Sequence, residues 1–172
     1  MADFQKLHFY NPTLGKLSFE QVIEEIFNYM AASSHKFYDI VVGCDSSSNE
    51  KLSFPVAIVI LRVGQGGRFF LKRIRYPKSH KKRFSNWHQR VLQEVLLSCE
   101  LALSFREAIQ KRTKQNGNQL NYQFRYIHAD IGAGGPTKDM IREVVGLIKS
   151  NGFEPKIKPE SFAASVVADR FA

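Results

Sequence analysis

At 172 residues, 44% apolar and 24% charged, the chain has ordinary globular composition and enough length to bury a full core, which excludes disorder for the bulk of it. The 25 Lys and Arg against 16 Asp and Glu leave a net charge of +9, which favours polyanionic partners, nucleic acid first among them. The longest apolar run, Phe54 to Leu61, is too short to span a bilayer, and Met1-Ala2-Asp3-Phe4 lacks a secretory n-region; a soluble, cytoplasmic protein with no membrane partner is expected. Cys44 and Cys99 both lie in apolar segments and read as small buried hydrophobes, with no support for a zinc site or a disulfide scaffold.

Ser18 with Gln21 has capping-box form, and Phe19, Val22, Ile23, Ile26 and Phe27 recur at helical spacing, which predicts an amphipathic helix to about Ala32. Strands are predicted over 39–44, 55–63 and 68–76, with Gly64, Gly66 and Gly67 turning the second hairpin. A helical pattern runs from about Ser85 to Lys111, and Asn116-Gly117-Asn118 closes it before a fourth strand, 123–130. Gly132, Gly134 and Gly135 form a loop, Pro136 suits a first helical position, and Met140, Ile141, Val144, Val145 and Ile148 give a helix ending at Asn151-Gly152. A fifth strand, 153–158, stops at Pro159, and Ser161 caps a last helix, 162–171. No repeat or linker divides the chain, so one domain over 1–172 is expected, residues 1–35 forming an N-terminal extension and helix packed on its core.

Strand, strand, strand, helix, strand, helix, strand, helix makes a mixed α/β layer: an antiparallel meander continued by parallel strands through helical crossovers. Asp45 and Asp130 close two of the apolar strands, Glu94 lies in the long helix and Asp169 in the last. This order of elements and acids resembles the ribonuclease H-like superfamily, with an extra N-terminal helix added to its five-stranded mixed sheet. More narrowly the chain resembles the YkuK-type family of that superfamily. The segments that carry the likeness are Phe9-Tyr10-Asn11-Pro12-Thr13-Leu14-Gly15-Lys16-Leu17, Val42-Gly43-Cys44-Asp45-Ser46-Ser47, Glu94 to Ala102, His128-Ala129-Asp130-Ile131-Gly132, and Lys156 to Ser161 with Ala168-Asp169. The resemblance implies the fold directly and an activity by analogy.

Helical geometry separates the two central acids of the 85–111 helix. Val91, Val95, Ser98, Ala102, Phe105 and Ile109 share one side; Gln89, Gln93, Ser104, Glu107 and Lys111 share the other. Glu94 falls at the edge of the apolar side and Glu100 in the middle of the polar side, where a solvated acid is unremarkable. A carboxylate on a sheet-facing stripe is costly unless paired or metal-bound, so Glu94 is either a cation ligand or the partner of a nearby base such as Arg90. Asp169 is a ligand or an exposed acid beside Arg170. Asp45 and Asp130 are ligands or turn and helix caps, and Asp139 is most simply a helix-dipole acid.

In-line hydrolysis of a phosphodiester needs charge compensation at the attacking water and the leaving oxygen, which two Mg²⁺ or Mn²⁺ ions about 3.5–4 Å apart provide. Hard oxygen ligands suit them. The superfamily resemblance implies that Asp45 bridges both ions, Glu94 and Asp130 hold the first and Asp169 the second. His128, within a strand, reads as a packed imidazole and His88 as a surface one. Ser46 to Ser48 have no base at motif spacing and no Gly-x-Ser-x-Gly element occurs, which argues against a covalent hydrolase.

Lys72, Arg73, Arg75, Lys78, Lys81, Lys82 and Arg83 follow one another without an acid, with Tyr76, Phe84 and Trp87 among or just after them. The run reads as a phosphate-binding stretch whose aromatics stack on bases or pack locally, or else as a solvated loop. Lys138 and Lys158, beside the acid-bearing strand ends, are further phosphate contacts. The loop Asp130-Ile131-Gly132-Ala133-Gly134-Gly135 also resembles the phosphate loop of actin-like sugar kinases, though a tight strand-to-helix turn explains its glycines. The reading is a divalent-metal-dependent nuclease or nucleic-acid processing protein using two metals. The alternatives are a non-catalytic nucleic-acid-binding module of the same fold and a nucleotide phosphatase or kinase.

Overall fold

The computed structural model describes residues 3–47, 52–80, 82–117 and 119–172, without the side chain of Arg83. Lys81, the Arg83 side chain, Ser48 and Asn118 therefore lie outside the described residues.

A short hairpin, β1 (His8–Asn11) and β2 (Gly15–Ser18), leads into α1 (Phe19–Ala31). The meander follows as β3 (Tyr38–Cys44), β4 (Ser53–Arg62) and β5 (Gly67–Arg75), then α2 (Trp87–Asn116), β6 (Tyr122–Ala129), α3 (Ile141–Ser150) and β7 (Glu154–Lys156). A π-helical stretch, Ala163–Ala168, runs into a 3-10 turn, Asp169–Phe171, and together these form the C-terminal helical segment. The strand order is β2-β1-β5-β4-β3-β6-β7. β3–β6 and β6–β7 pair in parallel and the other neighbours are antiparallel.

The sheet thus has seven strands rather than the expected five. The two additional strands have four residues each, too few for alternation to stand out, yet Phe9 and Leu17 are buried on one face and the turn is chemically specified. Asn11 Oδ1 accepts from the backbone amides of Thr13 and Leu14 at 2.9 Å, Asn11 Nδ2 donates to the Phe69 carbonyl at 2.9 Å, and Gly15 takes φ +73°. The hairpin extends the sheet beyond β5, with Tyr10 opposite Leu71.

The signals of the first helix act as read, but two later ones do not: the Ser161 hydroxyl caps nothing and is buried without a hydrogen-bond partner while its carbonyl accepts from the Ala164 and Ser165 amides, and Pro136 precedes a 3-10 turn, Lys138–Met140, ahead of α3. Ser18 Oγ accepts from the Gln21 amide at 3.2 Å and Gln21 Oε1 from the Ser18 amide at 2.7 Å, closing the capping box of α1. α2 continues past Lys111 to Asn116, where Gly117 at φ 62° ends it in the left-handed conformation. β7 has three residues instead of six, because Phe153 turns into the core and Ile157 packs against it beyond the paired segment.

Side chains alternate across the sheet, so its faces differ. Ile40, Val42 and Cys44 of β3, Phe54, Val56, Ile58 and Ile60 of β4 and Phe70 of β5 join α1, α2 and α3 in the main core. Val41, Ala57, Val59 and Leu71 point the other way, onto Ala163 and Ala168 of the C-terminal segment. Gly43 is where that segment comes closest: a Cβ there would lie 2.5 Å from the Ala164 nitrogen and 2.7 Å from the Ala163 carbonyl carbon. Only hydrogen fits.

Candidate functional site

Asp45 and Asp130 each sit one residue past the end of a central parallel pair, β3 and β6, whose register sets Cys44 beside Ala129. Both neighbours pack in the main core, so the two aspartates turn toward the opposite face, where the C-terminal segment carries Asp169. Glu94 comes from the other face, on α2, and is 8% exposed. The Ser46 hydroxyl joins the sides by donating to Glu94 Oε1 at 2.5 Å, while the Ser46 amide donates to Asp45 Oδ1 at 2.9 Å.

The expected acids therefore gather around one end of the sheet, and the crowding raises Asp45 and Glu94. Burial pushes the Asp45 carboxyl up to about 7, opposed by the Ser46 amide and assisted by a hydrogen bond to the Asp169 carboxyl and the charges of Asp130 and Asp169. Burial likewise raises Glu94 to about 8, with the Ser46 bond pulling down, Asp45 and Asp130 pushing up and Arg90 pulling down. Arg90 thus attracts Glu94, but Ser46 provides its hydrogen bond. Asp130 is one-fifth exposed: Lys158 Nζ lies 3.1 Å from its Oδ2, and its Oδ1 is buried without a hydrogen-bond partner.

Hard oxygen donors, two acids raised by burial and crowding, and an orphaned carboxylate oxygen fit a divalent cation. As arranged, no group of three or more His, Cys, Asp or Glu side chains among the described residues stands at metal-ligating spacing. Ser46, Lys158 and the Asp45–Asp169 hydrogen bond occupy oxygens that a cation would need.

The basic stretch divides between the faces. Val56 lies opposite both Cys44 and Lys72, which places Lys72 level with Cys44 at two strand spacings, about 10 Å. Arg73 and Arg75 are exposed on the face of Asp45 and Asp130, and the Arg73 guanidinium donates to the Phe171 carbonyl. Lys72 points to the α2 face, half-buried in a cavity of about 600 Å³ that Arg73, Arg75, Gln93, Leu97 and Glu100 also line. Glu100, expected as a solvated acid, is half-buried in the wall of this open cavity. Lys78 and Lys82 are exposed, as are Lys138 and Lys158. Phe84 is buried and stacks near Phe54 and Tyr76, with centroids 5.2 and 5.1 Å apart, while Trp87 packs on the main core. These rings pack locally, and the base-stacking option falls away for Phe84.

His128 is buried as a packed imidazole, Nδ1 accepting from the Ala163 amide at 3.2 Å. Burial and Lys156 push it down to about 4, so it is neutral. The glycine loop is closed internally, the Gly132 amide donating to Thr137 Oγ1 at 3.2 Å and the Lys138 amide to the Gly135 carbonyl at 3.4 Å, as a tight turn requires. Cys44 and Cys99 are free and buried. No helix among the described residues is long and apolar enough to cross a membrane.

Two participants escaped the sequence reading. Ser46 follows a strand-closing acid and has no signature of its own. Gly43 had one, since glycine inside a strand marks close backbone approach; it sets the distance between the C-terminal segment and Asp45.

Residues 21–172 match the family described as Ribonuclease H-like. The chain is 28% identical to "Uncharacterized protein YkuK" of Bacillus subtilis (strain 168), over 95% of each sequence. No solved structure matches it.

Proposed function

The chain belongs to the ribonuclease H-like family, and on that premise we propose that it is a divalent-metal-dependent nuclease or nucleic-acid processing protein acting on phosphodiester bonds. The supporting observation is the gathering of Asp45, Glu94, Asp130 and Asp169 at one sheet end, where Asp45 and Glu94 are held up to about 7 and about 8. Protons retained by crowded acids near neutral pH mark a place where added positive charge is favourable.

Asp45, Glu94, Asp130 and Asp169 would hold Mg²⁺ or Mn²⁺, and two such ions, when bound, supply charge compensation for the attacking water and the leaving oxygen. Ser46 fixes the rotamer of Glu94 and orients Asp45 through its amide, so the ligands from the two faces are set by one residue. Arg73 and Arg75 would bind the nucleic-acid backbone on the face of Asp45 and Asp130, and Lys78 and Lys82 would extend that track. Lys138 and Lys158 would meet phosphates nearest the acids. Contacts of this kind position a substrate without reading its sequence.

A non-catalytic nucleic-acid-binding module is the second reading, favoured by the Lys158 ammonium 3.1 Å from Asp130. A panel of labelled RNA, DNA and hybrid substrates incubated with Mg²⁺ or Mn²⁺ separates the two. Cleavage by the wild type and none by Asp45→Asn supports the nuclease; equal binding by both with no cleavage by either establishes the module.

A further inference from the structure

We propose that Lys158 is an internal counter-ion of the acid cluster: its ammonium holds Asp130 in the absence of cation, leaves when a divalent cation takes that carboxylate, and then meets a phosphate of the substrate. This rests on the metal-dependent reading above.

The local structure delivers Lys158 to this position from two directions. Its backbone amide donates to the Ile131 carbonyl at 2.8 Å, fixing its Cα beside the chain just past β6. Gly132 keeps the path of the stem open, because a Cβ at that position would lie 3.1 Å from Lys158 Cβ and 3.7 Å from Cδ. The ammonium then reaches Asp130 Oδ2 at 3.1 Å, while Oδ1 stays buried and unpartnered. One oxygen of this carboxylate is thus neutralised and the other left without a donor.

The pair is asymmetric in a way that suits exchange. The Lys158 side chain is 53% exposed and that of Asp130 22%, so the cation stands on the solvent side of the acid it holds. A lysine is a point charge on a flexible stem, and a half-exposed ion pair is weak; a divalent ion that also engages Asp45 and Glu94 outcompetes it. Once displaced, the ammonium remains tethered next to the acids, where a phosphate held by the cation is the nearest available anion. Metal and nucleic acid are thereby coupled through one side chain, and the coupling is reciprocal.

Titration calorimetry of the full chain with MnCl₂ alone tests the exchange. Removing the competitor raises the fraction of Asp130 free to ligate, so Lys158→Met should bind Mn²⁺ about threefold to tenfold more tightly than wild type. Lys158→Arg, which keeps the charge, should stay within about twofold, and Asp130→Asn should bind more weakly. Unchanged or weaker Mn²⁺ affinity in Lys158→Met, with Asp130→Asn still impaired, overturns the inference and leaves the metal site standing. No Mn²⁺ binding by any of the four proteins overturns both. A second measurement follows the released ammonium, using anisotropy of a labelled oligonucleotide in EDTA and in Ca²⁺, which is chosen to limit cleavage. Lys158→Met should match wild type in EDTA and fall about threefold to tenfold behind it in Ca²⁺; an equal deficit in both conditions reduces Lys158 to a surface phosphate contact and overturns the proposal.

Discussion

The two faces of the sheet are covered by unequal means. One carries α1, α2 and α3 and the main core, with Phe9, Phe54, Phe70 and Phe105 fully buried. The other carries the short C-terminal segment, seated through Ala163, Ala164 and Ala168, with Arg73, Arg75 and Asp169 exposed on that side. Thick cover supplies stability through apolar area, and thin cover leaves strand ends and charges accessible on a rigid base. If chemistry belongs to the thin side, Asp45→Asn should reduce Mn²⁺-dependent cleavage to background while Glu100→Gln, in the cavity on the thick side, stays within about twofold of wild type. Similar losses in both would break the comparison.

The thin cover depends on contact without spare volume. Gly43→Ala forces a methyl into the backbone of Ala163 and Ala164, and should cost about 1–3 kcal/mol in denaturant unfolding. Gly146 in α3 supplies the contrast on the thick side, where a Cβ meets nothing within 4 Å. Gly146→Ala should stabilise by about 0.4–1 kcal/mol through helix propensity and unfolded-state entropy. A neutral Gly43→Ala would show that the segment yields readily and does not fix Asp169 against Asp45.

Much of this contrast was legible in the residues. Asp45 and Asp130 stood out because an acid closing an apolar strand is poorly explained by propensity, and Glu94 because helical geometry put it on an apolar stripe. The β1–β2 hairpin was not legible from alternation, since four-residue strands are shorter than any useful window; Asn11 and Gly15 carried the information as turn chemistry. The partition of Lys72 from Arg73 and Arg75 follows from period-two alternation once β5 is placed, but nothing in a basic run says which face the run will favour. Ser46 bridging Asp45 and Glu94 is a tertiary contact across 48 positions, and no local pattern encodes it.

Proton storage gives the comparison a pH signature. Asp45 and Glu94 are raised from 3.8 and 4.5 to about 7 and about 8, so between those limits the folded chain keeps protons that the unfolded chain has released. The contribution of these two acids to stability is therefore full below about pH 4 and declines as pH rises through 7 to 8, by up to about 1.4 kcal/mol per pH unit for each independent group and less for a coupled set. Thermal melts in EDTA should show a higher melting temperature at pH 5 than at pH 8. Asp45→Asn or Glu94→Gln should flatten that trend, and Mn²⁺ should counter it at pH 8 by replacing protons with metal. A melting temperature that rises from pH 5 to pH 8 in EDTA would contradict the proton-holding cluster.

The smallest effect concerns the division of the basic stretch. Each phosphate contact to duplex contributes about 0.9 to the slope of log K against log salt, so Arg75→Ala should flatten it by about one unit and the Arg73, Arg75 double variant by about two. Lys72→Ala should change it by less than about half a unit. Lys72 points to the α2 face, where burial, with Lys16 and Arg75 nearby, pushes its ammonium down from the ordinary value. Arg75→Ala is the cleaner single test, because Arg73 also holds the chain end through the Phe171 carbonyl. Losses should be equal on two unrelated oligonucleotides, as expected of backbone contacts. A Lys72→Ala slope change as large as that of Arg75→Ala would carry the nucleic-acid track around to the thick face, and with it the argument that the thin face binds substrate.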